Sequence, residues 1–354
     1  FDGMVDVRVI SNKERVNSAR VRPLSYKITP DCVGDTVTFS LSRPRNLSVE
    51  VNGDIFHNLH LFANPIDKFR PSDKEIQRAL KKKKGSNLIY FGPGVHNLPN
   101  DTLFVPSGTT VYIDGGARVY GNIFTEGAHD VNIFGRGEVH PDGRGAGVWV
   151  RRSKNVRIDG IVVSQLPIGQ CDSVELTNVK SISYYGWGDG MDVFSSSNVI
   201  LDGVFCRNSD DCAAVYASTQ GFKGGSNNVL VKNATLWADV AHPINIGGHG
   251  DPNGMDTVQN VTFRNIDILD QAENQIDYQG CLAINPGDNT LVRNITFENI
   301  RIEDFRNGQL VNFRISFNPK YCVSTGRGIQ NVLVKDVTYN GSGENLSIIA
   351  GYDE

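Results

Sequence analysis

The chain has few methionines (3 in 354 residues) and no Cys-x-x-Cys spacing among its 6 cysteines. It also has no apolar run near the ~18 residues that a membrane span needs. These gaps exclude a zinc knuckle and a transmembrane helix. A basic surplus is missing as well: 35 Lys and Arg stand against 39 Asp and Glu, for a net charge of −4 and a pI near 6.0. Nucleic acid and an anionic membrane surface are therefore not expected partners. The cysteines Cys32, Cys171, Cys206, Cys212, Cys281 and Cys322 are scattered, which suits either small buried thiols or one or two disulfides.

Glycine is frequent (37), and Asn-Val and Asn-Ile pairs recur, which fits short strands and tight turns. Residues 1–65 read as an antiparallel β-sandwich, with alternating strands at Val7-Arg-Val-Ile, Tyr26-Lys-Ile-Thr, Thr36-Val-Thr-Phe-Ser-Leu, Leu47-Ser-Val-Glu-Val and Leu59-His-Leu-Phe-Ala. This unit either caps the larger one or binds carbohydrate. Residues 66–85 read as a linker and a helix: Ser72 is the N-cap, Glu75 the capping-box partner and Gly85 the stop. Lys81 to Lys84 suit the helix C-terminus.

From residue 86 to 354 a loose repeat recurs: Asn or Asp, then Val or Ile, then alternating residues and a polar corner. Its anchors are Val131, Val156, Val179, Val199, Val229, Val261, Ile295 and Val332, at spacings of 25, 23, 20, 30, 32, 34 and 37. Short helix-free repeats of this kind predict an all-β chain whose larger unit is a right-handed parallel β-helix, its Val and Ile stacked inside the tube. The Asn before each anchor is expected at a corner. Asn-x-Ser/Thr sequons occur at Asn46, Asn100, Asn233, Asn260, Asn294, Asn340 and Asn345, but Asn260 and Asn294 follow from the repeat and are poor evidence of glycosylation. The later turns carry long inserts (218–227, 247–256, 271–280, 317–328), which must leave the tube as loops and wall a cleft.

The stretch from Gly186 to Tyr216 concentrates acid: Asp189, Asp192, Asp202, Asp210 and Asp211. Asp189 and Asp210 are 21 positions apart, about one turn, so the carboxylates are expected to be stacked neighbours. Such groups repel, which raises the pKa of at least one of them, and a protonated acid beside ionised carboxylates is what glycoside hydrolysis requires. Asp192 and Asp202 read as turn residues. His242 follows Asp210 by 32 residues and is expected beside the pair.

The runs Gly188-Asp189-Gly190-Met-Asp192, Asp210-Asp211-Cys212 and His242-Pro-Ile-Asn-Ile-Gly resemble, in order and spacing, the central motifs of family 28 glycoside hydrolases, the polygalacturonase-like enzymes. The resemblance covers roughly residues 86–340 and implies the pectin-lyase-like β-helix. It implies Asp210 as general acid, Asp189 and Asp211 as the pair that holds and deprotonates water, and His242 as the group that tunes the acid. In that inverting family, acid and base are expected ~6.5–9.5 Å apart, on a diagonal across two turns. No cofactor or metal is implied. The segment Leu47 to Asn64 is similar to the sandwich of family 49 dextranases and isopullulanases, which act on neutral α-glucans.

Two departures stand out. Trp187-Gly188 replaces Asn-Thr, and the Arg-x-Lys that binds uronate one turn after the His is replaced by Leu282-Ala283-Ile284-Asn285. Arg314 comes one turn too late unless its strand is displaced. A neutral sugar is therefore a candidate substrate, since a carboxylate needs a cation. Trp187, Tyr216, Asn245 and Arg314 are the expected substrate contacts, and Tyr184, Tyr185, Trp237 and Tyr278 are further aromatic candidates. The overall expectation is an exported hydrolase, secreted, periplasmic or at the cell surface, with a polysaccharide or oligosaccharide as partner. The alternatives are a dextranase-like α-glucan hydrolase and a non-catalytic carbohydrate-binding or adhesin solenoid. A lyase would need a basic residue beside the aspartates, and none is seen there.

Overall fold

A computed structural model describes residues 1–81, 85–141, 143–315, 317–343 and 345–352. Three of the four lysines after the helix, 82–84, lie outside that set. The chain divides into two units, Phe1–Lys68 and Phe69–Glu354.

The first unit holds two three-stranded antiparallel sheets. Thr36–Leu41 pairs with Val5–Ile10 and Asp31–Val33, and Arg45–Val51 pairs with Ala19–Arg22 and Asp54–Ala63. Val16, Val21, Val37, Phe39, Leu41, Leu47 and Val49 form its core. One expected strand is absent. Leu24–Tyr26 is a 3-10 turn closed by Lys27 at φ 53°, and the Arg45 guanidinium covers the Tyr26 ring at 3.9 Å. A residue in the left-handed region breaks the alternation that a strand needs.

The second unit opens with the helix Asp73–Leu80. The Ser72 hydroxyl accepts from the Glu75 N–H, and the Glu75 carboxylate accepts from the Ser72 N–H at 2.8 Å. Beyond it, 25 strands among the described residues form one parallel ladder that coils on itself, a parallel β-helix. Val131, Val156, Val174, Val199, Val229, Val261, Ile295 and Val332 pair in one continuous register, turn above turn. All but Val332 are fully or almost fully buried, and each such side chain contributes about 1.5–3 kcal/mol.

The residue before each anchor is left-handed: Asp130, Asn155, Ser173, Asn198, Asn228, Asn260, Asn294 and Asn331 all have φ between 53° and 61°. Asn and Asp tolerate this region best, which explains why the corner selects them. Their amides also bond turn to turn: Asn228 donates to Asn198 at 2.7 Å, and Asn294 to Asn260 at 3.0 Å.

Val179 is not the anchor of its turn. Val174 is, so the flanking spacings are 18 and 25 rather than 23 and 20. Val179 belongs to a second row with Val204 and Ala234, and left-handed Asn178, Gly203 and Asn233 precede these three residues. Two rows share one corner signature, and Ser173 hides the true anchor.

All six cysteines are free thiols. Cys171, Cys206, Cys212 and Cys281 are buried among the apolar side chains of the tube. Among the described residues no helix is long and apolar enough to cross a membrane.

Candidate active site

Alternation on three short strands builds the site. Met191 and Val193, Ala213 and Val215, and Ile244 and Ile246 point into the core. The residues between them therefore face outward, and Asp192, Phe194 and Tyr216 line a cavity of about 640 Å³. The offset of 22 residues that pairs Val193 with Val215 also separates Asp189 from Asp211. The offset of 31 that pairs Ala213 with Ile244 likewise separates Asp211 from His242. These three residues are therefore level on successive turns, with Asp210 alongside.

Asp189, Asp210 and Asp211 each bring one carboxylate oxygen within 4.8 Å of the others. Side chains that are level on neighbouring strands stand roughly 5 Å apart.

Asp211 is the fixed anion of the group. Its Oδ1 accepts from the His242 N–H at 3.1 Å and from His242 Nδ1 at 2.7 Å. Its Oδ2 accepts from the Tyr216 hydroxyl at 2.5 Å and from Asn245 Nδ2 at 2.8 Å. Burial disfavours its charge, yet the charge of His242 and these hydrogen bonds hold its pKa below the ordinary carboxylate value. Four donors fill the lone-pair sites of a carboxylate.

The neighbours respond in the opposite direction. Burial, then repulsion from Asp211, pushes Asp210 up to about 7. Burial and the charges of Asp210 and Asp211 push Asp189 well above the ordinary range. Two such carboxyls titrate as a pair rather than independently. The three oxygens are also close enough to hold a cation, but Asp211 has no lone pair left to offer one. Protonation of Asp210 or Asp189 relieves the same repulsion.

Asp192, read from the sequence as a turn residue, is 4% exposed and lines the cavity. Its Oδ1 has no hydrogen-bond partner among the described residues, and burial followed by the charge of Asp189 raises its pKa well above the carboxylate range. Asp202 does sit at a corner, where it accepts from Asn233 at 2.7 Å and pairs with Lys232 at 3.1 Å.

The expected substrate contacts separate. Trp187 is 66% exposed on the cavity wall. Tyr216 lines the cavity, but its hydroxyl is committed to Asp211. Asn245 is fully buried, and its amide bonds Asp211, Tyr216 and, at 3.1 Å, the Tyr278 hydroxyl. Arg314 lies on an undisplaced strand in register with Leu282–Ile284. It lines a neighbouring pocket of about 280 Å³ and is ion-paired to Asp277 at 3.0 Å. Trp237 is buried under the Arg207 guanidinium, away from the cavity, whereas Tyr184, Tyr185 and Tyr278 line it.

The four late inserts all reach the cavity. They contribute Thr219 and Gln220, then His249, then Glu273, Gln275 and Tyr278, and finally Lys320 and Tyr321. His249, Glu273 and Lys320 were not singled out from the sequence, because loop residues obey no period that could flag them.

Comparison with known proteins gives the same architecture. An exopolygalacturonase of Cochliobolus carbonum is 24% identical over 206 residues, 51% of this chain and 44% of that protein. The chain thus spans less than half the length of that relative. The family 28 exopolygalacturonase of Yersinia enterocolitica superposes with a TM-score of 0.63 at 15% identity, covering 89% of this chain and 75% of the other. Dex49A from Penicillium minioluteum does so at 0.58 and 13% identity, over 98% and 82%. At these identities the two superpositions speak for the fold alone. The profile of the glycosyl hydrolases family 28 matches residues 142–350, the turns that carry the aspartates, His242 and the inserts, and the chain belongs to that family.

Proposed function

We propose that the chain hydrolyses an O-glycosidic bond in a polysaccharide or an oligosaccharide derived from one. The observation that carries this reading is the trio in one cavity: a saturated anion, Asp211, beside two carboxyls, Asp189 and Asp210, whose pKa values burial and neighbouring charge raise.

In the proposed reaction Asp210 protonates the glycosidic oxygen as the bond from that oxygen to the anomeric carbon breaks. Water attacks the carbon, and Asp189 takes the water's proton. Asp211 has no free lone pair for that task. It supplies the charge that keeps the proton on Asp210, and His242, Tyr216 and Asn245 hold it in place. Solvent then returns a proton to Asp210 and removes one from Asp189. Family membership supports attack from the face opposite the leaving group, with inversion. Proton NMR of the first-formed anomer checks the inversion.

The buried strand Leu282–Ile284 carries no cation, which supports a neutral sugar unless a charge is met from elsewhere. A polysaccharide of this size is met outside the cell, which supports an exported protein. The test is reducing-sugar release from polygalacturonate, rhamnogalacturonan, dextran and pullulan by wild type and Asp210→Asn. Release on one polymer that is lost in the variant supports the reading. Equal release by both proteins removes Asp210 from the mechanism, and no release on any polymer favours a binding solenoid.

A further inference from the structure

Two cavities follow one another along the tube. The catalytic one, of about 640 Å³, draws Phe194 and Tyr216 from paired strands. The second, of about 280 Å³, draws Asn285 and Arg314 from the ends of the next two turns, whose strands Leu282–Ile284 and Val311–Arg314 follow Ile244–Ile246 in register. His249, Tyr278 and Tyr321 line both cavities. These three side chains, each from a different insert, are therefore the partition between them.

The partition is a continuous series of ring contacts rising from the floor of the site. The Tyr278 ring meets the His242 ring edge-on at 4.3 Å, and its hydroxyl accepts from Asn245 Nδ2 at 3.1 Å. Tyr321 stacks on Tyr278 at 4.9 Å. The Lys320 ammonium lies 4.7 Å from the centre of the Tyr321 ring and 5.8 Å from that of Trp187, which stands on a separate connection of the cavity wall. Contacts of these kinds attract. His249 meets Tyr216 edge-on at 5.0 Å.

The loop that carries Tyr321 is anchored. The Asn318 carbonyl accepts from the N–H groups of Tyr321 and Cys322 at 2.9 Å each, and Asp288 Oδ1 accepts from the Val323 N–H at 2.7 Å.

A polymer cut in mid-chain needs open cleft on both sides of the acids. Here the partition touches His242, the residue bonded to Asp211, so it stands directly beside them. The space left to the catalytic cavity lies within the ~300–1,000 Å³ of a small-ligand pocket. We propose that this wall makes the site act on chain ends: it admits the terminus of a polysaccharide and releases a short product, and Tyr321 limits how many sugars lie beyond the cleaved bond. Tyr321 and Lys320 become specificity-determining residues. The inference rests on the hydrolase reading and names how that same site meets its substrate.

The test compares the wild-type chain with Tyr321→Ala and Lys320→Ala on polygalacturonate, rhamnogalacturonan, dextran and pullulan. Products are sized by gel filtration while viscosity is followed against new reducing ends. Wild type should release short oligosaccharides from the outset and leave the viscosity almost unchanged. Tyr321→Ala, which joins the two cavities, should shift the products to intermediate lengths and lower the viscosity at an equal count of reducing ends. Lys320→Ala, a truncation on a loop, should move both readouts in the same direction by a smaller step. Intermediate lengths from the wild type, or the same product sizes from all three proteins, overturn the wall while the hydrolase reading stands, since reducing ends still form. Release from none of the four polymers overturns both.

Discussion

His242 Nδ1 lies 2.7 Å from Asp211 Oδ1, while His242 Nε2 is buried with no hydrogen-bond partner among the described residues. Because Asp211 is ionised, Nδ1 must carry a hydrogen. The charge of His242 also lowers the pKa of Asp210. His242→Leu should therefore move the alkaline limb of the pH–rate profile to higher pH and reduce kcat, by about 10-fold or more for a lost charge-assisted hydrogen bond. An unmoved limb would leave His242 with a packing role only.

Asp210→Asn keeps the shape of the side chain and removes the transferable proton. Loss of a general acid costs about 10²–10⁴ in rate, so kcat should fall by that factor with the circular dichroism spectrum unchanged. Wild-type activity should itself decline as pH rises through about 7, where Asp210 loses its proton.

Stability should follow the same carboxyls. Asp189, Asp192 and Asp210 all have pKa values raised in the folded state. The stability that such groups contribute is fully present below the unfolded value of ~3.9 and is lost as pH rises through the folded one. Asp211 is lowered and acts in the reverse sense, its contribution falling away at acid pH. The melting temperature should thus decline from about pH 5 to 8. Asp192→Asn, which cannot ionise, should flatten that decline and raise the melting temperature at pH 8. A steeper decline in the variant would mean that Asp192 is ionised and stabilised by a partner.

A methyl group at Gly188 would lie 2.6 Å from the Tyr185 carbonyl and 2.8 Å from Ser183 Oγ. Gly188→Ala should cost about 1–3 kcal/mol, the range for overpacking, read from the urea midpoint. It should also displace Trp187, read from the indole emission maximum.

The parts of this protein that obey a period were legible in its sequence. Left-handed Asn198, Asn228 and Asn260 advertise their corners because few other side chains tolerate that geometry, and the buried valine after each one follows from it. The same rule misled at Val179, where a second corner of the same type precedes a different row. Asp192 was hidden because Val193–Phe194 is a two-residue strand, too short to display which side its neighbour faces. Glu273, His249 and Lys320 stand on inserts that follow no repeat, so only the folded chain shows them converging.

The coil and its loops carry separate duties. Ladder pairing and corner amides join each turn to the next and fix the acids, while Lys320, Tyr321 and Trp187 stand on connections outside the ladder. Exchanging residues 317–327 for another loop should then reshape the cavity wall, which Lys320 and Tyr321 line, without disturbing how the tube assembles.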